Sequence, residues 1–270
     1  MCEEIKRVES ELLKKSGKDY KDFVPTVWKT IKEKEVEDYL ALLKESPDFV
    51  IETIIKVIPK TGEYIQICDP EDDLLIVKDN LPAILEKIEK YGIEKFADEI
   101  KDLEISDRFV VRLPEMIGEV EKALQKTDPE ILNSYGKTFK ELMFSSIIPF
   151  MNRSSPSFTK LHKDIEEAFD KLKGVTLTIG FDLKDMDLHL KEKIDKGTLI
   201  IEEGLENTDV RMTVSTEAIL DTIPVILSGS KWKMTRYLLS GAIPVKGSIV
   251  KALNLIPFAL KLSKLMSQIK

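Results

Sequence analysis

The chain offers little from which to build a catalytic centre. His162 and His189 are its only histidines, too few for a histidine-ligated metal or for a nucleophile, base and orienting carboxylate acting together. His189 alternates with Leu188 and Leu190, which turns it to the solvent side of a strand. Asp182, Asp185 and Asp187 cluster, but they bracket a turn and read as a solvated hairpin rather than a cation site. Pro70, Glu71, Asp72 and Asp73 complement a helix dipole and lack the loop glycine and closing glutamate of a calcium-binding hand. Cys2 and Cys68 are too few for a disulfide framework and read as free thiols. No phosphate loop or dinucleotide fingerprint is present. No catalytic residue, metal ligand or cofactor is therefore expected, and the chain reads as a protein without enzymatic activity.

The chemistry that remains is burial of an apolar molecule. Val175, Leu177, Ile179 and Phe181 alternate with Thr176, Thr178 and Gly180, the period of a half-buried strand. Met186, Leu188 and Leu190 repeat it after a turn, as do segments over 198–202 and 210–214, separated by turns at 195–197 and 206–209. Four such strands predict an antiparallel meander with one apolar face. Helices from Ser157 to about Leu172, and over 216–227, 230–239 and 248–267, supply the cover. A short fifth strand over 241–247 belongs at an edge because of Pro244. The inward positions are Leu177, Ile179, Phe181, Met186, Leu188, Leu190, Met212 and Val214. Opposite them fall Leu220, Ile223, Leu227, Leu238, Ile256 and Phe258. These side chains either line a cavity or fill a solid core.

The order helix, strands, helix is followed by Leu239-Ser-Gly-Ala-Ile-Pro-Val-Lys-Gly-Ser-Ile-Val-Lys-Ala-Leu253. Together with Glu206-Asn-Thr-Asp-Val-Arg-Met-Thr-Val-Ser-Thr-Glu-Ala-Ile-Leu220, it resembles the sterol carrier protein type 2 family over residues 157–270. The resemblance implies a largely antiparallel sheet with helices on one face, enclosing a tunnel for a fatty acyl, isoprenoid or sterol-like ligand. It implies nothing about residues 1–150, and the chain ends Ser-Gln-Ile-Lys rather than in the peroxisomal tripeptide of some relatives.

Charge is unevenly shared. Residues 1–150 carry 23 basic and 33 acidic side chains, while 151–270 carry 18 and 15, and the overall charge is −7. From Thr222 onward there are eight Lys or Arg and no acid. Nucleic acid is a poor partner for a chain of negative net charge without a reader motif. An anionic membrane surface suits the cationic end better. Lys251, Lys261 and Lys264 form a basic edge on the terminal helix, and Lys231, Trp232, Lys233 and Arg236 would suit the same interface. The alternative reading of that helix is an ordinary core helix with a lysine edge.

The first half is helical in its apolar spacing, as in Ile84, Leu85, Ile88 and Tyr91. Pro25, Pro47, Pro82, Pro114 and Pro129 each read as a helix N-terminus, and their spacings of 22, 35, 32 and 15 residues are too irregular for a solenoid. The fold class is therefore α+β: an all-helical domain over 1–151, then the lipid-binding domain over 152–270, joined where Ser and Pro cluster. The charged N-terminus lacks a secretory apolar stretch, no run of eighteen apolar residues would span a bilayer, and a cytoplasmic protein is expected. Lys, Glu and Ile are abundant and Gln occurs only at 66, 125 and 268, a bias that resembles proteins of hot environments. An interaction scaffold, in which the helical half binds a protein and the second domain holds no ligand, stays open beside lipid carriage.

Overall fold

The computed structural model describes residues 2–17, 19–227, 232, 236, 240, 241, 243–248, 250, 251 and 254–267. The chain forms two compact units, 1–131 and 132–270.

The described elements of the first unit are all helices: α1 (Cys2–Lys14), α2 (Asp19–Glu33), α3 (Val36–Glu45), α4 (Pro47–Ile65), α5 (Pro70–Tyr91), α6 (Ile93–Asp102) and α7 (Ile105–Gln125). Its core lies between α4 and α7, where Ile51 and Ile55 meet Met116, flanked by Ile58 and Phe109. Gly62 permits that approach, since a Cβ there would stand 2.8 Å from the Ala123 Cβ. Pro47, Pro70 and Pro129 do begin helices, and the Asp69 carboxylate accepts from the Glu71 N–H at 2.9 Å to cap α5. Pro25, Pro82 and Pro114 do not, because they lie inside α2, α5 and α7. A proline inside a helix removes one donor and opens the preceding turn. In α5 the Lys32 ammonium donates to the Asp79 carbonyl at 2.6 Å, in the turn that precedes Pro82.

The second unit opens with most of α8 (Pro129–Leu142), a π-turn (Met143–Ile147), α9 (Ile148–Phe158) and α10 (Lys163–Asp170). The junction expected near residue 152 therefore falls within α9. Asn152 explains why this segment joins the second unit: its amide donates to the Ile201 carbonyl at 2.7 Å and accepts from the Ile201 N–H at 2.9 Å. Those two bonds satisfy the outward backbone groups of an edge strand. The helix expected from Ser157 instead begins after His162, whose Nδ1 accepts from the Asp164 N–H at 3.1 Å as an N-cap.

Five described strands follow, β1 (Thr176–Leu183), β2 (Leu188–Asp195), β3 (Thr198–Glu203), β4 (Val210–Val214) and β5 (Val245–Gly247), with α11 (Thr216–Leu227) and α12 (Ile256–Ser267). The spatial order is β3-β2-β1-β4-β5. Three pairings are antiparallel, but β4 runs parallel to β1, so the expected four-strand meander is broken after β3. Asp209 fixes the crossover: its carboxylate accepts from the Thr178 N–H at 2.9 Å and its own N–H donates to the Thr178 carbonyl at 2.8 Å. β5 is the edge strand that Pro244 foretold.

Gly247 closes this edge at φ +104, and a Cβ at that position would stand only 2.2 Å from the Asp209 carbonyl oxygen. Gly247→Ala should therefore lower the unfolding free energy by about 1–3 kcal/mol, measured as an earlier urea midpoint. An unchanged midpoint would contradict the pairing of β5 with β4.

Candidate apolar ligand site

Strand register determines which side chains share a face. Pairing across β1 sets Leu177, Ile179, Phe181 and Leu183 opposite Ile194, Glu192, Leu190 and Leu188 of β2. On the other side, Ile179, Phe181 and Leu183 face Val210, Met212 and Val214 of β4. β3 adds Leu199 and Ile201, and β5 adds Val245. These residues form one continuous row set, as period-2 geometry requires.

The face is not uniformly filled. Leu177, Ile179, Ile194 and Val210 are fully buried with Leu172 and Val175, and Phe169, Leu255 and Phe258 pack on them. Phe169 and Phe258 meet edge to face with centroids 5.3 Å apart. Leu188 and Val214 are buried as well. Phe181, Leu190, Ile201 and Met212 are only half-buried; Phe181 pairs with Leu190 and with Met212, Ile201 lies diagonal to Leu190 on β3, and Phe181 and Met212 also pack against the buried cluster.

Of the expected lining residues, Leu177 and Ile179 are fully buried in the core, whereas Phe181, Leu190, Met212 and Phe258 are half-buried, with Phe181, Met212 and Phe258 packing against that core. Met186 does not face the sheet interior. It lies in a 3-10 turn, Lys184–Met186, with its side chain against Gly136 of α8, because β2 starts two residues later than the alternation implied. Leu220 is half-buried on α11. Ile223, Leu227 and Ile256 belong to α11 and α12, but their side chains lie outside the described set, and Leu238 lies outside it altogether.

Sequence reasoning missed Glu192. It continues the row Leu188, Leu190, Glu192, Ile194, so the alternation carried the signal, and register sets it between Ile179 and Ile201. Burial pushes its carboxyl above the ordinary range. No hydrogen bond or ion pair reaches it from a described residue. Glu203, the other acid in these rows, has the Lys140 ammonium at 3.8 Å.

The opposite face is ionic and well paired. Lys191 donates to Glu206 at 2.6 Å and stands 3.5 Å from Glu202, which Lys193 also contacts at 2.6 Å. The Lys191 hydrogen bond holds Glu206 down to about 2. Burial alone would push Asp182 up, but the Arg211 guanidinium at 2.8 Å outweighs it and the carboxyl sits below its usual range. His189 is 3.3 Å from the same carboxylate, on the polar side as its alternation required. Among the described residues no group of three His, Cys, Asp or Glu side chains converges as a metal site.

Two of the expected membrane-facing lysines are engaged within the unit: Lys251 with Asp209 at 2.6 Å, and Lys261 with Asp164 at 3.0 Å and Glu167 at 2.6 Å. A lipid headgroup would compete with those carboxylates. Trp232 is 73% exposed, and Arg236 and Lys264 are exposed. Lys231 and Lys233 lie outside the described residues. No described helix is long and apolar enough to cross a membrane.

No family profile matches the chain, and no curated protein matches it. Among solved structures it is similar to "UbiJ-SCP2 Ubiquinone synthesis protein", at 16% identity over 47% of this chain and 94% of that one, with a TM-score of 0.34. It is also similar to the stereoselective inverting sec-alkylsulfatase Pisa1 from Pseudomonas sp., at 14% identity over 77% of this chain and 32% of that one, with a TM-score of 0.28. A double mutant of the sec-alkyl sulfatase PisA1 gives 13% identity over 76% of this chain and 32% of that one, again with a TM-score of 0.28.

The raised Glu192 carboxyl works against the fold once it ionises. Its contribution is fully present below the ordinary carboxylate range and is lost as pH rises through the raised value. Glu192→Leu should therefore stabilise the chain by about 1 kcal/mol at neutral pH, with the gain shrinking on acidification. Thermal melts across that window check this, and an equal gain at every pH would contradict it.

Proposed function

We propose that the second unit binds a hydrophobic, lipid-like molecule without transforming it and exchanges it with membranes. The observation that carries this reading is the half-buried patch of Phe181, Leu190, Ile201 and Met212, on the sheet face that also carries the buried core. A patch of this kind gains by being covered with hydrocarbon. Burying a chain of about 16 methylenes is worth on the order of 13 kcal/mol against water, at ~0.8 kcal/mol each. A bilayer offers nearly the same, so a carrier needs only to match it, and what it supplies is transfer without passage through water. An apolar surface with few polar groups meets that need. Exposed Trp232, Arg236 and Lys264 suit transient contact with an anionic surface, where each basic residue contributes about 1 kcal/mol. The acidic helical unit would then govern access or hold a protein partner.

Titration of the delipidated full chain with a fluorescent long-chain acyl probe tests the proposal. Saturable binding is expected, and Met212→Trp, which fills the patch, should weaken it at least tenfold while leaving the far-UV spectrum unchanged. No saturable binding to the unmodified chain would contradict the reading.

A further inference from the structure

From Thr222 onward the chain holds eight Lys or Arg and no acid, so any side-chain carboxylate that pairs with those cations comes from an earlier segment. On α12 the Lys261 ammonium donates to the Asp164 carboxylate at 3.0 Å and to the Glu167 carboxylate at 2.6 Å, both on α10. Lys163 is a weaker competitor for Glu167, at 3.9 Å. Beside these pairs Phe258 meets Phe169 of α10 edge to face, and Leu255 and Phe258 pack on the cluster that contains Leu177, Ile179 and Val210. Phe181 and Met212 pack on the same cluster, so α12 is part of the cover of the face that carries the candidate ligand patch. Its ion pairs are open to water, with the Glu167 side chain 44% exposed, and pairs of that kind are readily screened and exchanged. α12 itself joins apolar residues to Lys261 and Lys264 and carries no acid, the composition of a helix that lies in a membrane interface.

We propose that α12 is a latch that an anionic membrane opens: lipid phosphates replace Asp164 and Glu167 as the partners of Lys261, and the apolar side of α12 moves from the sheet to the acyl boundary. The sheet face is then uncovered for ligand exchange, which makes this inference rest on the membrane-exchange reading above. Lys261 exchanges carboxylates for phosphates, and Phe258 exchanges one apolar surrounding for another, so neither the charge nor the ring has to end in water. What tips this near balance is the negative surface potential, which also acts on Lys264 and on the other cations of a segment with no acid to oppose it. Away from a membrane the helix stays docked, because undocking would expose Phe258 to water and leave Lys261 without both carboxylates. A neutral bilayer offers the apolar half of the exchange but not the ionic half, so opening is confined to anionic surfaces.

The test is hydrogen–deuterium exchange of the full chain, read at α10, with vesicles of phosphatidylcholine alone and with about 30% phosphatidylglycerol added. Anionic vesicles should speed exchange across α10 by about fivefold or more, and about 0.5 M NaCl should abolish the effect. Neutral vesicles and inorganic phosphate, each supplying half of what the latch needs, should not open it. Glu167→Gln, which loosens the latch but leaves Lys261 for the lipid, should open at a lower phosphatidylglycerol fraction. Lys261→Gln should shrink the ratio of α10 exchange between anionic and neutral vesicles. Ion pairs with a structural role alone would raise α10 exchange in both variants without altering its dependence on phosphatidylglycerol, and that result overturns the latch. Exchange in the unmodified chain that is indifferent to anionic vesicles overturns it as well. The readout needs no bound ligand, so either failure leaves lipid binding standing, whereas opening on anionic vesicles by a chain that binds no acyl probe would remove the carrier reading and keep the latch.

Discussion

β1 lies between β2 and β4, and the register in which it pairs with both decides which side of the sheet is apolar. With Phe181 opposite Leu190 and Met212, one face collects hydrocarbon while the other collects Lys191, Lys193, Asp182 and Arg211. A slip of a single residue would exchange the two sets, burying four charges and exposing the core. The reverse face guards against that slip through its ion pairs, and Asp209 guards the parallel side by exchanging hydrogen bonds with Thr178. Each of these contacts is individually modest. Together they fix the one arrangement in which an apolar surface and the Glu192 carboxyl share a face.

The same register separates two uses of burial. Around Leu177, Ile179, Ile194 and Val210, α10 and α12 complete a tightly packed core, and Lys261 ties these helices together through Asp164 and Glu167. That half supplies stability. Phe181 and Met212 pack against this core while staying half-buried themselves, and Glu192 stands between Ile179 and Ile201.

Much of this was legible in the sequence because period-2 alternation is a strong signal. The strands of the second unit, the break between β2 and β3 and the outward aim of His189 follow from it, and the edge position of β5 follows from Pro244. What was not legible depended on contacts distant in sequence. The parallel placement of β4 rests on Asp209 meeting Thr178, and the membership of α9 in the second unit rests on Asn152 meeting Ile201, while its Ser and Pro residues locally read as a linker. Pro25, Pro82 and Pro114 looked like helix starts because a proline tolerated inside a helix carries the same local pattern as one that begins it. Glu192 was visible in the alternation, but a list of apolar positions passes over a charged one.

The most direct measurement is a crystal structure of the full chain grown with an alkyl ligand carrying a terminal bromine, read from the bromine's anomalous scattering. The account predicts ordered hydrocarbon over Phe181, Leu190, Ile201 and Met212, with the bromine signal beside the sheet. Protein side chains closing over that patch, with no bromine signal beside the sheet, would contradict it.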